Sequence, residues 1–217
     1  MQPTQWEVII LKPTPVFLSF LASQLPDVEL PDLSVLQTDS TAYVIDKQPN
    51  DDETLKEIER HFATMFRHEI ARFLGEDSYN EIESSFLDFL CCFRFELHSQ
   101  IVLMEQTMNE GQQLLRVKPR TVLLNWMKES VAEQADLISI LERVNLSHLA
   151  ENATVVVKNF DDIKTVKPFL HDNFKPIFET EMLRMCDRAD EWPQVNNFDD
   201  FIKHFNVEIH TQLVHLH

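Results

Sequence analysis

Apolar positions along this chain follow two periods, and the switches between them mark out the elements. "QWEVIILKP" (5–13) is a short, β-branched run closed by Lys-Pro, which predicts a buried strand. "TPVFLSFLASQL" follows with Thr14 at an N-cap position and Pro15 at the first helical position. Phe17, Phe20 and Leu21 form its apolar face, and Pro26 stops it. "SVLQTDSTAYVIDK" predicts two strands around a polar "TDST" turn, with Val35, Ala42, Val44 and Ile45 inward. The first 50 residues therefore predict a β-α-β-β unit.

"PNDDET" punctuates the chain. Its acids suit the positive end of a helix dipole. Leu55, Ile58, Phe62, Met65, Phe66, Ile70 and Phe73 follow at three- and four-residue spacing, with Gly75 placed to end the helix. "SYNE" makes a capping box, Ser78 to Glu81. Behind it, Ile82, Phe86, Leu90, Phe93, Leu97, Ile101, Met104 and Met108 keep the helical spacing, with no Gly or Pro between Glu76 and Glu110. This predicts one central helix of about 30 residues, roughly 45 Å long at 1.5 Å per residue. Its middle, "FLDFLCCFRFELH", is apolar on several faces, as expected of a helix packed all round.

"QLLRVKPRTVLLNWMKE" reads either as a strand followed by a helix from Thr121 or as a loop between helices. "SVAEQADLISILERV" predicts a helix, and Thr154–Val157 a strand. Helical spacing resumes after residue 159, interrupted by Pro168 and Pro176. "FNVEIHTQLVHLH" predicts a helix breaking into a last strand. "NFDDIK" at Asn159 and "NFDDFIK" at Asn197 echo each other; both read as helix starts, each with an Asn cap and two acids, rather than as a repeat. The fold class expected is α+β, mostly helical, in one domain (1–217). A subdivision into 1–50, 51–110 (helical hairpin core) and 111–217 is compatible with it.

Composition narrows the function. With 44% hydrophobic residues, 16 of them Phe, the chain can bury a core without staples. Only two glycines, Gly75 and Gly111, are present, so GxGxxG, Walker-type and GxSxG motifs cannot occur. A net charge of −17 disfavours nucleic acid and favours basic partners. Asp88, Arg94 and Glu96 interrupt the greasiest stretch, which is too short to span a bilayer. Three cysteines without spaced pairs, and no basic leader, point to a reducing, cytoplasmic setting.

Candidate chemistry is sparse. Glu57, His61 and His68 share a helix, but the histidines lie about two turns apart. His204 and Glu208 have the i, i+4 spacing of a metal pair. Cys91 and Cys92 point about 100° apart on a helix and read as small buried hydrophobes. Arg116, Lys118 and Arg120 form the one basic cluster, read mainly as an exposed loop that could dock an acidic segment or a phosphate. Trp126 and Trp192 are candidate interface anchors. No catalytic residue, metal or cofactor is assigned.

In size, acidity and α/β alternation the chain resembles small acidic bacterial secretion adaptors and chaperones of the type IV coupling-complex kind. That resemblance implies association with a secretion apparatus and transfers no residue. The expected function is a non-enzymatic adaptor or chaperone holding an amphipathic or basic segment of a partner protein, without nucleic acid or direct membrane insertion. The alternatives are an acidic inhibitor or nucleic-acid mimic, and a metal-dependent enzyme.

Overall fold

A computed structural model describes residues 5–75, 84–105, 111–130 and 141–216. Among these residues the chain is α+β, with eight helices and eight strands in two four-stranded sheets. It divides into two compact units: residues 1–97, 109–111 and 210–217 in one, 98–108 and 112–209 in the other.

In the first unit, β1 (Trp6–Pro13) leads into α1 (Pro15–Gln24), and a short α2 (Leu33–Leu36) precedes β2 (Ala42–Asp46). The opening is thus β-α-α-β, not β-α-β-β. "LSVL" makes one helical turn because Asp32 and Leu33 carbonyls accept the next amides, and Val35 points to solvent. The long helix α3 (Asp51–Leu74) starts and stops where the sequence places it. Asn50 accepts from the Glu53 amide, acids fill the first turn, and Gly75 takes a left-handed φ of 84°. Its Leu55 is exposed rather than inward.

The expected central helix is not formed. After a capping box between Ser85 and Asp88, α4 (Phe86–Cys92) lasts two turns, and the chain passes directly into β3 (Phe93–His98) and β4 (Ile101–Leu103). The spacing misleads because a step of four belongs to both periods: Phe93, Leu97 and Ile101 fit a helix face and also every second pair of strand positions. "FRFELH" alternates apolar and polar residues, which is the strand signal. The Ser78–Glu81 box, Ile82 and Met108 lie outside the described residues.

The second unit holds β5 (Gln113–Pro119), α5 (Thr121–Ser130), α6 (Leu146–Ala150) and β6 (Val155–Lys158). These are followed by α7 (Val166–Met185), α8 (Phe198–His204) and β7 (Phe205–His210). The strand-then-helix reading of "QLLRVKPRTVLL" and the helix-to-strand reading of the tail both hold. Most of the helix expected at 130–144 lies outside the described residues. α7 runs through both prolines: Pro168 sits in its first turn and Pro176 inside it. The final strand, β8 (Leu213–His215), joins the first unit.

Both sheets are built alike. The first has the order β3-β1-β2-β8, and the second, read from the same end, β7-β5-β6-β4. β1 pairs antiparallel with β2, and β5 with β6. β8 pairs parallel with β2, and β4 with β6. The outer register corresponds residue for residue: Ala42 faces Leu213 as Val155 faces Ile101. The chain is therefore an internal duplication, and each copy gives its last strand to the other copy's sheet.

The sequences agree once aligned this way. Phe86/Phe198, Asp88/Asp200, Phe89/Phe201, Phe93/Phe205, Glu96/Glu208, His98/His210 and Gln100/Gln212 coincide at constant spacing, as do Glu69/Glu181 and Arg72/Arg184. The echo between Asn159 and Asn197 is a different matter. Asn197 does cap α8, accepting from the Asp200 amide, but Asn159 caps nothing, and its amide donates to Glu105. There it is Asp162 that accepts, from the Lys164 amide, in a single 3-10 turn (Ile163–Thr165) ahead of α7.

Each unit has its own aromatic core. In the first, Phe17, Phe66, Phe89 and Phe93 pack against Ile9, Leu11, Tyr43 and Ile58. In the second, Phe178, Phe201 and Phe205 pack against Leu115, Val117, Leu123 and Val156. The equivalent pairs Phe89/Phe93 and Phe201/Phe205 lie 5.4 and 5.3 Å apart. Each falls where a helix ends and its strand begins, fixing that bend by packing.

Candidate functional site

Charged groups inside the fold are engaged in holding strands. In the first unit, Glu69 is fully buried on α3. It accepts from the Tyr43 hydroxyl at 3.0 Å and pairs with Arg72 at 3.4 Å. Arg72 donates to the Asp39 carbonyl at 2.8 Å and to Thr41 Oγ1 at 3.1 Å. Burial pushes the Glu69 carboxyl above its ordinary range, against the opposing pull of Arg72. Burial also raises Tyr43 well above a free phenol, and Glu69 adds to this.

In the second unit the equivalent Glu181 accepts from the Thr154 amide at 2.7 Å. Its partner Arg184 donates to the Leu149 carbonyl at 2.8 Å. In both copies a helix Glu-x-x-Arg pair thus ties down the segment entering β2 or β6. The recurrence, the burial and the backbone partners identify an architectural device rather than a reactive centre.

The histidines divide in the same way. His61 Nε2 lies 3.1 Å from Glu57 Oε1 on the same helix, and His68 stands exposed, its ring edge-on to Tyr43. His204 Nδ1 donates to the Asp200 carbonyl. Glu208 is directed elsewhere: it accepts from Arg116 at 3.1 Å and from Lys118 at 2.7 Å. The i, i+4 spacing of His204 and Glu208 does not bring them together, because His204 ends a helix and Glu208 lies within the following strand. Among the described residues no group of three or more His, Cys, Asp or Glu side chains is arranged to hold a metal ion.

Arg116 and Lys118 of the basic cluster lie in strand β5, not in an exposed loop, and Arg120 follows the strand's end. Arg116 is buried in β5, donating to Glu208 and to the Ala150 carbonyl at 3.0 Å. Arg120 is exposed, and its amide caps the chain against the His204 carbonyl. Trp126 is half-buried against the second core. Trp192 folds back, donating to the Cys186 carbonyl at 2.9 Å and meeting Phe178 edge-on.

Cys92 is buried, and burial first, then Cys91 and Asp88, push its thiol up to about 11. Cys91, expected to be buried, is exposed. It belongs to the outward face of α4 with Leu87 and Leu90, which are 69% and 37% exposed. These three residues are spaced i, i+3, i+4 and so share one side of the helix. Helices α1 and α3 pack against α4 through its other side. Sequence reasoning missed this face by placing it inside the supposed central helix.

Comparisons with family models, with curated proteins and with solved structures each found no match. Among the described residues no helix is long and apolar enough to cross a membrane.

Proposed function

We propose that the protein is a non-enzymatic, cytoplasmic adaptor that binds an amphipathic, basic segment of a partner protein. The observation that carries this reading is where the charges go. The buried cation Arg116 and the half-buried Arg72 and Arg184 are paired with Glu208, Glu69 and Glu181. The net charge of −17 is left to the outer surface, where exposed apolar side chains such as Leu87 and Leu183 also lie. A surface of that kind attracts cationic segments at long range and holds them by apolar anchors. The resemblance to small acidic secretion adaptors makes a bacterial type IV coupling complex the setting proposed for it.

The test is direct binding of two designed helical peptides with identical leucines, one carrying lysines and the other glutamates. The lysine peptide is expected to bind, with affinity falling as salt rises. Equal binding of both peptides, or of neither, would refute the reading.

A further inference from the structure

The duplication supplies an internal control for the surface of α4. At several positions that build the fold the two copies agree: Phe86/Phe198, Phe89/Phe201 and Phe93/Phe205 fill the cores, and Asp88 and Asp200 each accept from a backbone amide at the start of their helix. On the outward face they part. Leu87, Leu90 and Cys91 in the first copy correspond to Asp199, Ile202 and Lys203 in the second. The second copy folds the same helix with charges at two of these positions, so the fold does not require the apolar residues of the first.

Asp88 sharpens the contrast. In the second copy, Asp200 Oδ1 is bound by Lys203 Nζ at 2.9 Å, one turn on. In the first, the position one turn on from Asp88 is Cys91, which offers no cation. Asp88 is exposed, and its bonds from the Ser85 hydroxyl and amide hold its carboxyl below the usual range, so it is ionised at neutral pH. An anionic carboxylate thus stands one turn from the exposed Cys91, at the edge of the apolar face, with its sister's lysine missing.

Resting on the adaptor reading above, we infer that the outward face of α4 is the docking surface, and that the partner's helix supplies a Lys or Arg to Asp88 while its apolar residues cover Leu87, Leu90 and Cys91. The partner's cation takes the place that Lys203 occupies in the second copy. Single exposed leucines are ordinary on protein surfaces, but here they share one helical face with Cys91, and Asp88 flanks that face on its Cys91 side. A second copy of this chain is a poor occupant, because it would bring another −17 to the contact.

The experiment is fluorescence anisotropy with the leucine–lysine helical peptide against the full chain and three variants. L87D and C91K each put into the first copy what the second already carries. Each is expected to weaken binding about tenfold or more, as loss of one leucine contact or of one cation partner implies. I202D, at the corresponding face of the second copy, is expected to leave the affinity unchanged. Circular dichroism and thermal melting confirm that each variant is folded; should L87D not fold, C91K still decides the matter. If the wild type binds and both first-copy variants bind equally well, the docking surface lies elsewhere and only this inference falls. If the wild type does not bind the peptide, the adaptor reading falls with it. Concentration-dependent dimerisation abolished by L87D would assign the face to a second copy and overturn the inference.

Discussion

His98 and His210 each donate an Nδ1 hydrogen bond of 2.8 Å to a backbone carbonyl of the other copy of the repeat, His98 to Ala153 and His210 to Ser40. A carbonyl can only accept, so the proton is fixed on Nδ1 in both rings. Each histidine ends one strand just before the chain enters the other copy's sheet. The bonds beside it correspond as well: Ser99 donates to Asn152, and Thr211 to Asp39. The Val155 amide donates to the Gln100 carbonyl as the Ala42 amide does to Gln212. These are the latches of the strand exchange.

Replacing either histidine by alanine leaves a buried carbonyl without its donor. Each of His98→Ala and His210→Ala is expected to cost about 1–3 kcal/mol, by similar amounts in the two copies. Urea denaturation of the two single variants measures this. A large effect of one and none of the other would show that the latches are not equivalent.

The exchange has a consequence for cleavage. A protease site inserted at 106–110 separates the copies covalently, yet each fragment keeps a strand in the other's sheet. The two fragments are expected to stay together through gel filtration after cutting and to part only in denaturant. Elution of two separate folded fragments would contradict the exchanged topology.

Glu69 gives the stability a pH dependence of known sign. Its folded-state pKa is raised by burial, so folding binds a proton there. Its contribution is fully present below the unfolded pKa, about 4.3 for a free Glu, and is lost as pH rises through the higher folded value. Glu69→Gln keeps an acceptor for Tyr43 and Arg72 without the charge. Relative to wild type, the variant is expected to gain stability as pH rises across that window. A difference that stays constant with pH, in urea titrations from pH 4 to 8, would contradict it.

The two adjacent cysteines are expected to differ sharply in reactivity. Cys91 is exposed, whereas Cys92 is buried with its thiol pushed up to about 11. At pH 8 an aromatic disulfide reagent should therefore modify Cys91 in the native protein and reach Cys92 only on unfolding. Cys92→Ala should cost on the order of 1 kcal/mol, and Cys91→Ala almost nothing. Mass mapping of the modified residue checks the first statement and melting curves the second.

Much of the fold was legible where one period dominates. α3 was readable from its cap, its first-turn acids and Gly75, and β1 from its run of β-branched residues. α4 and β3 were not, because Phe93, Leu97 and Ile101 satisfy both periods and no glycine or proline marks the join. The duplication was hidden by the unequal lengths between β1 and β2 and between β5 and β6, which shift the two copies out of a single register. Its clearest signal, "FELHSQIV" against "VEIHTQLV", lay across an assumed helix. Buried Arg116 looked like a surface cation because its partner Glu208 lies far along the chain. The outward face of α4 carries no sequence signal of its own; it emerges only when Leu87 and Cys91 are set beside Asp199 and Lys203.

The most direct measurement is the number of binding sites. Isothermal titration of the full chain with the leucine–lysine helical peptide is expected to give one peptide per chain, bound more weakly as salt is added, because only the first of two equivalent helices presents the apolar face flanked by Asp88. Two equal sites per chain, or none, would contradict it.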